Sequence, residues 1–238
     1  MTEKILTVAP IAIYNIIKHK YKSETDKTFT KAVRDANKLE ADVMKILVNV
    51  FHPDLTRSAV NSRWVEELRK DKSITVNVQY EQHPDWRINV EQEQKLLLEH
   101  DRIVYQHPFY LYSVPPLMKK WLDEVFTYAW AYGPGGTALK GKEWISAIST
   151  GGPADSYQSG GYNNYSMSEL LKPLQQTANL TRMIFLPAFL FQGAVTAAKE
   201  DIEASASRYM AHIRNPDLNP QVRLRKLLGE MESEGVKL

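Results

Sequence analysis

The chain has 238 residues, 43% hydrophobic and 24% charged, with a formal net charge of +2 and no cysteine. That length fits one α/β domain with an appendage, or at most two small domains. The near-neutral charge gives no field for nucleic acid or acidic lipid, and the missing cysteine excludes disulfides, thiolate metal sites and a Cys nucleophile, as suits a reducing cytoplasm.

The first apolar run, ILTVAPIAIYNII at 5–17, is short, interrupted by Pro10 and followed by lysines. A secretory leader needs a basic stretch before its apolar core, and a spanning helix needs about 20 apolar residues, so neither is expected. The mixed-charge stretch that follows has helical spacing from Phe29 through Val33 to Ala36. Residues 1–42 read as a partly helical N-terminal extension. It serves either as a brace or dimer arm, or as a docking element for a partner.

The domain proper is expected over 43–212. VMKILVNV (43–50) is a β-branched apolar run of strand length. SAVNSRWVEELRK (58–70) is helical, with Ala59, Val60, Trp64, Val65 and Leu68 on one face. SITVNVQY (73–80) alternates like a strand, 91–100 is a helix, and RIVYQ (102–106) is a short buried strand. A helix from Pro115 to Ala129, a glycine-rich loop at 132–142 and the strand EWISAIST (143–150) come next. A polar glycine-rich loop, a helix at 166–178, the strand RMIFLPAFL (182–190) and a helix at 199–212 complete the domain, before a charged, helical tail over 213–238. Strands alternating with helices predict a parallel sheet covered on both faces, with ligands at the carboxyl ends of its strands.

Three loops fall at that edge. FHPDLTRSAVN (51–61) enters a helix through Thr56, Arg57, Ser58 and Asn61, and is either a plain N-capped turn or a phosphate cradle of free amides and hydroxyls. It is neither GxGxxG nor a P-loop. HPFYLYSVPP (107–116) places Phe109, Tyr110 and Tyr112 in a connection. Its prolines suit a helix start, with Ser113 as cap. The rings serve as a satellite core cluster, a subunit contact or a ligand wall. In STGGP (149–153), Gly151 and Gly152 allow close backbone approach in what could otherwise be an ordinary flexible loop. Together the three fit a phosphorylated flat ligand such as flavin mononucleotide.

The stretches HPDLTRSAVN, IVYQHPFYLYSVPPLMKKWLDEVF, WAYGPGGTALKGK, STGGP and LLKPLQQTA resemble the flavodoxin-like NAD(P)H:quinone oxidoreductases, the bacterial branch with the ancillary subunit of glutathione-gated potassium efflux above all. The likeness spans 44–212 and leaves out the extension. It implies a doubly wound five-stranded parallel sheet in the order 2-1-3-4-5. It also implies FMN, with FAD as the alternative, as cofactor and NAD(P)H as co-substrate. His52, Ser58, Ala59, Val60 and Asn61 would then surround the phosphate and ribityl chain. Phe109, Tyr110, Leu111 and Tyr112 would line the ring system, and Ser149, Thr150, Gly151 and Gly152 its pyrimidine side. Tyr157 would assist hydride transfer. The implied reaction is ping-pong, from NAD(P)H through the flavin to a quinone, in a cytoplasmic homodimer.

A second reading is a flavin-bearing regulatory subunit of a membrane transporter, peripheral to the inner face of the membrane. The chain departs from the family pattern in two places. Leu111 stands where relatives carry Trp, and the His of the mammalian-type branch has no counterpart, with Tyr162 or Asn163 nearby instead. Other classes drop out. Val50-Phe51-His52 and Gln106-His107-Pro108 lack the acidic residues of a receiver domain, and no G-x-S-x-G marks a Ser hydrolase. The six histidines have no metal spacing. His107 is expected to brace the aromatic loop.

Overall fold

The computed structural model describes residues 44–233. The N-terminal extension expected over 1–42 lies outside these residues.

The apolar runs form β1 (Ile46–Val50), β2 (Ile74–Val78), β3 (Arg102–Pro108) and β4 (Glu143–Ser149), with two shorter strands, β5 (Ile184–Phe185) and β6 (Phe189–Phe191). All pair in parallel in the order β2-β1-β3-β4-β5, and β6 pairs β4 beyond β5. The expected order 2-1-3-4-5 holds, with the fifth position built from two pieces rather than the single strand expected over 182–190. Pro187 lies between them and has no N–H for a ladder bond. The register sets Val50 beside Val78 and Gln106, Pro108 beside Ser149, and Ser149 beside Phe191. The carboxyl ends therefore form one edge, and the order reverses between β1 and β3.

The helices are α1 (Ala59–Arg69), α2 (Gln79–Gln82), α3 (Val90–Glu99), α4 (Pro116–Val125), α5 (Met167–Leu170), α6 (Lys172–Leu180), α7 (Lys199–Arg214) and α8 (Pro220–Ser233). On one face of the sheet, Leu47, Phe51, Tyr105, Trp144 and Ile148 pack with Leu97, Trp121 and Leu174 of α3, α4 and α6. On the other, Trp64 of α1 donates from Nε1 to Ser205 Oγ of α7 at 2.8 Å and packs its ring on Tyr209 and Phe189. A fully buried aromatic of this kind contributes on the order of 3 kcal/mol relative to exposure. At the amino-terminal edge, buried Arg102 pairs with Glu143 at 2.6 Å and donates to the Ile213 and Asn215 carbonyls, closing α7.

Several expected boundaries change. Ala59 is exposed, and buried Asn61 takes a place on the inner face of α1. The strand expected to reach Tyr80 stops at Val78, and Gln79 begins a helical turn. The helix expected to reach Ala129 ends at Val125, because Ala129 has φ 64° and its N–H bonds the Tyr132 carbonyl. The helix expected over 166–178 divides at Leu171, since the Pro173 ring cannot follow a continuous helical turn.

Candidate functional site

After β1, the chain turns through a single 3₁₀ turn at Leu55–Arg57 into α1. Asp54 caps that turn, its carboxylate accepting from the Thr56 N–H and hydroxyl, which keeps it below the usual carboxylate range. Ser58 caps α1, its Oγ accepting from the Asn61 N–H at 3.1 Å. His52 is buried, and its Nδ1 accepts from the Asp54 N–H at 3.2 Å. Burial lowers its pKa, so the ring is neutral at pH 7 and carries its proton on Nε2.

Asn61 joins this loop to two strands. Its Nδ2 donates to Ser149 Oγ at 2.9 Å, and its carbonyl accepts from Gln106 Nε2 at 3.1 Å. Ser58, Asn61 and Ser149 are thus brought together by side-chain bonds, although 88 residues separate the last two.

The aromatic loop after β3 is a two-residue turn. Tyr110 and Ser113 exchange backbone bonds of 3.1 and 2.9 Å, with Leu111 at φ 45° and Tyr112 at φ 62°. Two positive φ values are the mark of a I′ turn, which ordinarily holds Asn and Gly. Placing Leu and Tyr there costs on the order of 1–2 kcal/mol each, and strain of that kind collects at ligand-clamping positions. The Ser113 expected as helix cap instead closes this turn; Pro115 precedes α4 with no side-chain cap, and Pro116 is its first residue. His107 braces the loop as expected. It is buried, with Nδ1 at 2.9 Å from the Pro108 carbonyl, and burial drives its pKa down to about 4.

The third loop faces the second. Phe109 packs edge-on against both Tyr112 and half-buried Tyr157, with centroids 6.5 and 6.4 Å away. Tyr112 Oη donates to Asn163 Oδ1 at 3.0 Å, and Asn163 Nδ2 donates to Ser156 Oγ at 2.9 Å. Asn163 is thus a tie between the two loops with no titratable group. Gly152 lies behind this tie, where an added Cβ would come within 2.9 Å of Tyr162 Oη and 3.1 Å of Ser156 Oγ. Thr150 Oγ1 accounts for the Gly152 carbonyl at 2.8 Å, while neither glycine N–H bonds a protein acceptor among the described residues. Burial raises the Tyr157 phenol above its usual pKa, against the opposing pull of the Thr150 hydroxyl.

Of the residues expected to form a site, His52, Ser58, Phe109, Tyr110, Tyr112, Thr150, Gly151, Gly152 and Tyr157 lie on the three loops at one sheet edge, Ser149 ends β4, and Asn61 lies in the first turn of α1. Ala59 and Val60 lie in the first turn of α1, where Val60 is buried in the core. Leu111 stands at 93% exposure and walls nothing within the chain. Sequence reasoning missed Gln106, whose Oε1 is buried without a partner, and Asn163, whose bond to Tyr112 is non-local.

A family profile described as having a flavodoxin-like fold matches residues 44–213. A Bacillus subtilis (strain 168) protein named as an uncharacterized NAD(P)H oxidoreductase, YdeQ, is 52% identical over 81% of this chain and 98% of its own length. The potassium-efflux ancillary protein KefG of Serratia proteamaculans is 40% identical over 72% of this chain and 94% of its own. The crystal structure of general stress protein 14 from Treponema denticola, in complex with FMN, is 39% identical, with a TM-score of 0.69 over 71% of this chain and 97% of that one. The parallel sheet, its reversal between β1 and β3 and these likenesses agree: the chain belongs to the flavodoxin-like family.

Proposed function

We propose that the chain is a flavin-dependent NAD(P)H oxidoreductase that holds FMN at the carboxyl edge of its sheet and reduces a quinone or similar flat acceptor in two half-reactions. The observation that carries this reading is the joined site. Capped helix start, strained aromatic turn and Gly-Gly loop are tied into one cradle by Asn61, Ser149, Tyr112 and Asn163. The residues present fit such a group, because the uncommitted Gly151 and Gly152 amides suit the edge of a flat heterocycle.

The Ser58 hydroxyl, the first-turn amides at Ala59 and Val60 and the Nε2–H of neutral His52 would hold the phosphate. Phe109, Tyr110 and Tyr112 would wall the ring and exclude water, and the glycine amides would stabilise negative charge at its pyrimidine end. The flavin, when bound, supplies hydride acceptance and donation. Tyr157 keeps its phenolic proton at neutral pH, since burial raises its pKa, and so acts as a donor beside the ring wall. The FMN-bound relative and the oxidoreductase named above support the cofactor and the nucleotide. We place the protein in the cytoplasm as a homodimer. Docking on a membrane transporter is the second reading, supported by the KefG likeness.

Initial rates of NADPH oxidation at several benzoquinone concentrations test the reading. Parallel double-reciprocal lines, with FMN released on denaturation, are the expected result. Flavin retention without quinone turnover would favour the regulatory reading, and no flavin affinity would overturn both.

A further inference from the structure

Beside the cradle lies an aromatic feature that the flavin site does not use. Trp86 is 41% exposed, and its φ is 63°, a left-handed conformation that a bulky side chain adopts only when its surroundings impose it. The bond from its N–H to the His83 carbonyl, at 3.0 Å, fixes that conformation. Its ring stands edge-on to Tyr80 at 6.0 Å and 89°. Tyr80 in turn reaches α4, its Oη accepting from the Leu117 N–H at 3.4 Å, and burial raises its phenol above the usual pKa. Trp86 and Tyr80 therefore line the end of β2 toward the start of α4, the helix that follows the aromatic loop.

This segment is held from below. The carboxylate of Glu93, 1% exposed, accepts from Asn77 Nδ2 at 3.1 Å, Gln79 Nε2 at 2.9 Å and Trp121 Nε1 at 3.0 Å, and lies 3.2 Å from His83 Nε2. Gln79 and His83 bracket Tyr80, and His83 immediately precedes the turn that displays Trp86. Its rings are thus presented on a braced support.

We propose that Tyr80 and Trp86 form an acceptor subsite that stacks the outer rings of a planar, polycyclic, uncharged substrate whose reacting ring lies against the flavin held in the cradle. The proposal rests on the oxidoreductase reading. Exposed ring faces next to the cradle supply stacking area. The neighbouring charges bear on the occupant. Glu81, next to Tyr80 in sequence, pairs with Arg69 at 3.7 Å, and Asp85, next to Trp86, pairs with Arg87 at 3.7 Å. Charges already paired leave ring faces that suit an uncharged polycycle.

The test compares KM for 9,10-phenanthrenequinone with that for 1,4-benzoquinone in the FMN-loaded wild type, Trp86→Ala and Tyr80→Leu, with NADPH varied separately. Loss of one stacked ring is expected to raise the three-ring to one-ring KM ratio about tenfold in each variant, with the NADPH KM unchanged. A ratio within twofold of wild type in both variants, with flavin and benzoquinone turnover intact, overturns the subsite alone. A rise in the NADPH KM with no change in the quinone ratio also overturns it, by assigning the rings to the nucleotide. A wild type that neither retains flavin nor oxidises NADPH overturns the oxidoreductase reading and the subsite with it.

Discussion

His107 shows how one residue reports on the site it supports. Its ring is buried, with Nδ1–H bonded to the Pro108 carbonyl and Nε2 without a partner, and its pKa lies at about 4 against an ordinary 6.5. The folded chain thus refuses a proton that the unfolded chain accepts. The stabilisation is complete above pH 6.5 and is lost as pH falls toward 4, amounting to about 3 kcal/mol. Denaturant unfolding of wild type and His107→Gln between pH 7 and 4 should show the wild type losing about that much more stability than the variant. Equal losses would mean that the imidazole titrates normally. The sequence showed that this histidine adjoins the aromatic loop. Its protonation state depends on burial by residues distant in the chain, which no local pattern records.

At the scale of elements, β1, β3 and β4 were legible because each is rich in β-branched, aliphatic or aromatic residues over a strand's length, and α1 because its apolar residues recur with helical period. The elements that differed did so through identifiable residues. Pro187 and Pro173 divide a strand and a helix that apolar content alone would keep whole. The Ser166–Glu169 capping box that starts α5 was present in the sequence as S-x-x-E and marks the true helix start. The strained turn at Leu111 and Tyr112 was not legible, since neither residue type favours positive φ and the bond partners across the loop are distant. The Glu93 cluster is the largest omission. A glutamate in an amphipathic helix reads as solvated, yet here its carboxylate joins β2, α2, α3 and α4. Glu93→Ala leaves the Trp121 indole N–H without its acceptor in the core and strips one acceptor each from Asn77 and Gln79, which keep Asn49 Oδ1, and should cost about 3 kcal/mol. Urea unfolding would show a lower midpoint at unchanged slope. A loss below about 1 kcal/mol would show that the donors find other partners.

Across the described residues, several of the large apolar side chains left at the surface gather on two loops. Tyr110, Leu111, Tyr112, Tyr162 and Tyr165 belong to the aromatic and Gly-Gly loops, and Tyr128, at 65% exposure, lies just beyond α4. Patches of this kind mark interaction sites. A second copy of the chain is the occupant we expect, with Leu111, 93% exposed, as a central contact. Sedimentation equilibrium should give a dimer for the wild type and a dissociation constant raised at least tenfold for Leu111→Asp. A monomer at all concentrations would contradict the assembly without touching the flavin cradle.

That cradle is the central claim, and the visible absorption spectrum of the untagged protein, before and after anaerobic addition of NADPH, tests it most directly. The account predicts a yellow protein that bleaches with NADPH, regains colour with a quinone and releases FMN by mass. A colourless protein that also fails to bind added FMN or FAD would contradict it, and the three joined loops would then have to serve a ligand other than a flavin.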